Sequence, residues 1–187
     1  DFKPQTGTLE FKQELPARMR LVIFGGEHDA VSLCSLAAGM GWEVLVVIVA
    51  DEAKSAKDFP GVSEMKSVIP EAIEPDFVDA RSAVLIMTHS YTKDLKYLLR
   101  LSDSNPGYLG ILGPAKRRER LLNDLIEHRP EVSPEFIDGI CGPAGLDIGS
   151  ETAQEIAVSI LAEILSVFRK SRPIPLSRKQ GAIHSHE

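Results

Sequence analysis

Four groups of residues have the types and spacing to do chemistry. The first is Gly25-Gly26-Glu27-His28-Asp29-Ala30, which follows an apolar run. A dinucleotide fingerprint has glycine at its first, third and sixth positions, so that the backbone can approach a pyrophosphate at a helix N-terminus. Here only the first of those glycines is kept, and Glu27 sets a carboxylate where the phosphate charge would lie. Asp51 comes about 20 residues after this turn, at the end of the next apolar run, where an acid would bind ribose hydroxyls. Two readings stay open: a nucleotide site on Gly25, Gly26 and Asp51, or a tight strand-to-helix turn beside a solvated loop acid.

The second group is the histidine pair His28 and His89, the latter preceded by Met87-Thr88. Both are predicted to lie just past strands that end on one edge of a sheet. Paired imidazoles there could hold a metal or move a proton, because they titrate near neutral pH. No third ligand is evident, so the alternative is a pair of hydrogen-bonded structural or ligand-contacting histidines, and neither a metal site nor a catalytic residue is assigned.

The third group is Gly110-Ile111-Leu112-Gly113-Pro114 with Lys116, Arg117 and Arg118 behind it. A strand end that feeds a helix N-terminus with guanidinium groups suits an anion such as phosphate. A solvated basic face is the competing reading. The fourth is the glycine-dense stretch from Gly142 to Thr152, in which Gly145 and Gly149 imply unusual backbone angles and Asp147 either orients a ligand or bonds its own loop. Cys34 reads as core. Cys141, just before the loop, is a thiol candidate with nothing nearby to lower its pKa.

Elements must exist to position these groups. Arg20–Phe24 is a short strand, and Asp29–Met40 has apolar residues at helical spacing. Trp42–Ala50 is nearly uniformly apolar, which predicts a strand covered on both faces. Ala83–Thr88 and Tyr108–Leu112 repeat that pattern, with a helix over Thr92–Leu101 between them. From Asp51 to Arg81 the chain reads as irregular, with only Val68 and Ile69 resembling an edge strand. Ala115–His128 predicts an amphipathic helix with Leu121, Leu122, Leu125 and Ile126 inward and Lys116, Arg117, Arg118 and Arg120 mostly outward. Thr152-Ala153-Gln154-Glu155 has the form of a capping box and opens a last helix to about Phe168. The alternation predicts an α/β fold: a three-layer, doubly wound, mainly parallel, Rossmann-like sheet over residues 20–169.

Composition narrows the function classes. The chain has 187 residues, a formal charge of −6, 43% hydrophobic and 6% aromatic residues and two cysteines. One domain fits that length. Scattered basic residues argue against nucleic acid, no apolar run reaches membrane-spanning length, and two cysteines make no disulfide framework. A cytoplasmic protein is expected. The N-terminal residues lack a signal-peptide core and do not begin with methionine, so a fragment or trimmed product is expected.

Gly145-Leu146-Asp147-Ile148-Gly149-Ser150-Glu151-Thr152 with the following EIAVSILAEIL resembles the C-terminal signature of the XdhC/CoxI family of molybdenum-hydroxylase maturation factors. Met87-Thr88-His89, Tyr108–Gly113 with its basic follow-on, and Phe24-Gly25-Gly26-Glu27-His28 extend the resemblance over about Arg20 to Phe168. By position it assigns Gly25, His28, His89, Gly113, Asp147 and Gly149 to the family's motifs; Glu27 departs from the glycine usual there. The resemblance implies an accessory protein that binds or delivers molybdenum cofactor to a xanthine dehydrogenase-type client, sometimes with a cysteine desulfurase-type sulfuration partner, and it implies no catalytic residues. Homodimerisation stays open. It also makes residues 1–19 a linker out of an upstream domain absent here, while the polar, proline-containing composition of residues 170–187 predicts a mobile tail. The rival functions are an NAD(P)-dependent oxidoreductase with Asp51 on ribose and His28 or His89 as acid-base, and a docking domain without ligand.

Overall fold

The computed structural model describes residues 18–180. The predicted linker therefore falls almost wholly outside the described residues, as does the end of the predicted tail.

Six strands form one sheet. They are β1 (Arg20–Phe24), β2 (Glu43–Val49), β3 (Glu64–Val68), β4 (Ser82–Ile86), β5 (Tyr108–Ile111) and β6 (Ile140–Cys141), in the order β3-β2-β1-β4-β5-β6 with every neighbouring pair parallel. This is the dinucleotide-fold order, whose direction reverses between β1 and β4 and opens a crevice at the strand carboxyl ends. Parallel strands need long crossovers, and here helices supply most of them.

Alternation along each strand divides the core in two. On β1, Leu21 and Ile23 face one way and pack with α1 (His28–Gly39) and α5 (Ala153–Phe168), chiefly through Leu33, Ala37, Ile160 and Ile164. Val22 and Phe24 face the other way, against α2 (Tyr91–Leu101) and α3 (Ala115–His128), through Tyr97, Leu98, Leu121 and Leu125. Fully apolar strands are thus buried on both faces, as a parallel sheet requires. Cys34 belongs to the first of these layers.

Three expectations need correction. The edge strand is Glu64–Val68, not Val68 and Ile69; Ile69 lies beyond it and is exposed. Charged Glu64 and Lys66, ion-paired at 2.9 Å, hide its pattern while protecting an open sheet edge. Ile126 on α3 is exposed, since it lies one residue, about 100° of helix, past Leu125. The short helix α4 (Pro134–Asp138) and two-residue β6 were not predicted, being too brief to show a period.

Candidate functional site

At the first turn, Gly25 has φ +133°, and a Cβ there would lie 2.6 Å from the Met87 carbonyl oxygen. The ends of β1 and β4 touch so closely that no side chain fits between them. The next position is crowded by side chains instead. A Cβ on Gly26 would meet Glu52 Oε2 at 3.0 Å, Ile48 Cγ2 at 3.1 Å and Lys54 Cδ at 3.1 Å. Lys54 Nζ donates to the Gly26 carbonyl and lies 3.8 Å from Glu27 Oε2, and Lys93 of α2 donates to Glu52 Oε1 at 3.0 Å. The side chains of Glu52, Ile48 and Lys54 therefore stand against the turn at Gly26.

Asp51 is exposed, and the acid turned toward the crevice is its neighbour Glu52. Glu52 Oε2 is buried without a hydrogen-bond partner among the described residues. Sequence reasoning missed Glu52, Lys54 and Lys93 because each is an ordinary charged loop or helix residue until the fold brings them together.

His28 is exposed. His89 sits at φ +56° and its Nε2 lies 3.0 Å from Asp29 Oδ2, so it joins the β4 loop to the first turn of α1. Below it, Thr88 donates through its N–H (3.2 Å) and hydroxyl to Asp94 Oδ1. Asp94, 1% exposed, accepts from Arg117 Nη2 at 2.6 Å and Nε at 3.1 Å.

The basic helix is therefore less free than its composition implies. Arg117 is committed to Asp94 and packs against Gly113, whose φ is +128°. Arg118 donates to the Ile140 carbonyl at 3.0 Å, and Arg120 lies over the Tyr91 ring at 4.4 Å. Lys116 remains exposed.

The glycine-dense loop after β6 lies on α5. Gly145, φ +113°, has no room for a Cβ, which would stand 2.6 Å from Ser159 Oγ. Its N–H donates to Glu163 Oε2 at 2.8 Å, and the Tyr108 hydroxyl donates to the same oxygen at 2.5 Å. Ser159 donates through its hydroxyl to the Leu146 carbonyl. The capping box is formed: Thr152 accepts from the Glu155 N–H, and Glu155 accepts from the N–H groups of Thr152 and Glu151, both at 2.9 Å. Those bonds hold the Glu155 carboxyl below its usual pKa.

The loop leaves space rather than filling it. A cavity of about 540 Å³ opens between the end of β5 and the loop, with Leu112, Gly113, Asp147, Ile148 and Ile156 in its lining. Gly149, φ +75°, has nothing near its missing side chain. The crevice thus has two unlike halves: a filled first turn and an open cradle at the β5–β6 end.

The XdhC Rossmann domain matches residues 21–164. This chain belongs to that family.

The XdhC domain here is 32% identical over 161 residues to a protein of Bacillus subtilis (strain 168) named as a probable xanthine dehydrogenase subunit, covering 86% of this chain and 46% of that protein. It is 27% identical over 149 residues to the molybdenum cofactor insertion chaperone PaoD of Escherichia coli (strain K12), covering 80% and 40% of the two chains. A crystal structure described as a xanthine dehydrogenase from Bacillus halodurans superposes with a TM-score of 0.70 at 31% identity, over 87% of this chain and 44% of that one. The chain spans less than half the length of each. Among the described residues, no helix is long and apolar enough to cross a membrane.

Burial pushes both thiols of this XdhC domain, Cys34 and Cys141, up to about 11. Cys141 lines a groove with Gly107, Tyr108 and Phe136, apart from the residues of the cradle.

Proposed function

We propose that this chain is the Rossmann half of an accessory factor that helps insert molybdenum cofactor into a xanthine dehydrogenase-type hydroxylase, and that the cradle under the Gly145–Ser150 loop receives the pterin. The contrast between the two halves of the crevice carries this reading. A dinucleotide enzyme needs the backbone of its first turn open to phosphate, and here Glu52 and Lys54 crowd that turn. The cradle has the chemistry a pterin asks for: apolar Leu112, Ile148 and Ile156 for the faces of a flat ring and the Asp147 carboxylate as acceptor for its amino and imino N–H groups. Its volume of about 540 Å³ falls in the range of small-molecule sites. Asp147 would hold the ring edge, Gly113 and Gly149 would let backbone come close, and the redox chemistry would be the cofactor's own once delivered.

The partners in this reading are the client hydroxylase and a cysteine desulfurase-type sulfuration partner. With both thiols held protonated, sulfur transfer is not expected to run through Cys34 or Cys141.

Thermal unfolding in the presence of isolated molybdenum cofactor, NAD or NADP tests the reading. A ligand at 100 times its dissociation constant stabilises the native state by about 2.7 kcal/mol. Cofactor is expected to raise Tm for the wild type, and Asp147→Ala to abolish that rise without lowering the ligand-free Tm. Stabilisation by NAD or NADP alone would favour the oxidoreductase, and no response to any of the three would favour a docking domain.

A further inference from the structure

The loop tip and the outer faces of α1 and α5 leave an apolar hollow uncovered. Val158 of α5 is 50% exposed and Ile148 of the loop 56% exposed. Together with Leu36 of α1 they line a second concavity of about 350 Å³, whose lining includes Glu155 and Gln154 but, among the described residues, no lysine, arginine or histidine. Exposed Asp147 and Glu151 lie on the same loop, so the charge that the described residues place about this hollow is negative.

Single exposed apolar residues are ordinary, whereas several gathered in a hollow with a polar rim are the usual composition of a binding patch. Its occupant should offer an apolar side chain to Val158 and Ile148 and cations to the rim, because like charges placed there would repel. The hollow is also continuous with the pterin cradle: Ile148, Gly149 and Ser150 line both. A protein seated on one necessarily touches the strip of backbone that walls the other.

We propose that this α1–α5 face docks the client hydroxylase, through a client segment that carries an apolar anchor flanked by lysine or arginine. The proposal rests on the accessory-factor reading and adds the surface and the partner chemistry. Docking here places the client against the wall of the cradle, which Ile148, Gly149 and Ser150 share with the hollow.

The test uses the full chain and a purified, cofactor-free bacterial xanthine dehydrogenase, with affinity read by biolayer interferometry. Val158→Glu should weaken binding at least about tenfold, as expected for loss of an interface anchor. Val158→Ser, which removes the apolar contact without adding charge, should weaken it by less but in the same direction. Val167→Glu is the control: it is also exposed on α5, and nine residues further on, about half a turn around the helix, it should leave affinity unchanged. Wild-type affinity should fall between about 50 and 300 mM salt, because the acidic rim would pair with a basic client segment.

Hydroxylase binding that Val158→Glu and Val158→Ser leave intact would reject this face while the accessory reading stands. A hydroxylase that the wild type does not bind at all would remove both. Affinity indifferent to salt would overturn the basic flank. Light scattering that shows a dimer split by Val158→Glu, with hydroxylase binding unmoved, would give the face to a second copy of this chain and overturn the proposal.

Discussion

Arg117 of α3, partly exposed, and the buried Asp94 of α2 form an ion pair, with Nη2 2.6 Å from Oδ2, and the other oxygen of the same carboxylate takes the Thr88 N–H and hydroxyl from the β4 loop. One carboxylate therefore fixes two helices and the loop that carries His89. Removing Arg117 leaves the Asp94 carboxylate buried without its cation, which costs about 3–5 kcal/mol, and removing Asp94 takes away the acceptor shared by Arg117 and Thr88. Urea denaturation of Arg117→Ala and of Asp94→Ala should show losses of that size without any ligand present. If Arg117→Ala were as stable as wild type, the arginine would be free for an anion after all.

Gly145→Ala and Gly149→Ala separate close packing from backbone freedom. Both positions have positive φ, but only a Cβ at Gly145 collides, 2.6 Å from Ser159 Oγ. Gly149→Ala should cost about 1 kcal/mol for its left-handed conformation. Gly145→Ala should cost distinctly more and should also loosen the cradle, seen as faster amide exchange at Leu146 and Asp147. The reverse ranking would mean that the loop does not rest on α5 as described.

Glu155 gives the cap of α5 a pH dependence with a definite sign. Hydrogen bonds from the Thr152 and Glu151 N–H groups depress its folded pKa. Its contribution is therefore complete above the unfolded value of roughly 4.3 and is lost as pH falls through the lower folded value. Tm for Glu155→Gln should lie below wild type at neutral pH, and the gap should close on acidification below about pH 4. A gap that widens in acid would contradict the capping role.

Cysteine reactivity supplies a fourth check. Because burial pushes Cys141 to about 11, only a trace of thiolate exists at neutral pH. Alkylation of native protein by iodoacetamide should be slow there and should accelerate with pH up to that value. Rapid modification at neutral pH would make Cys141 a candidate functional thiol again.

The carriers of the fold were plain in the sequence because burial on both faces leaves β1, β2 and β4 as uninterrupted apolar runs, and because the Thr152–Glu155 cap is a local device. What stayed hidden depends on partners far along the chain. Asp94 reads as a solvated acid in a first helical turn until Arg117 arrives from another helix. Ser159 and Glu163 look like polar breaks in the stripe of α5, yet they hold the loop through Leu146 and Gly145. Glu52 rather than Asp51 turns toward the first turn, a choice made by the chain's path after β2 that no spacing rule sees.

The side chains crowded over Gly26 also bear on motion. Lys54 bonds the first turn from the β2 loop, within one half of the sheet, and Lys93 reaches Glu52 from α2, so one charged tether crosses the line where the two halves meet. That tether resists spreading of the crevice beside Gly26, whereas Gly149 at the far end of the crevice has nothing near its missing side chain.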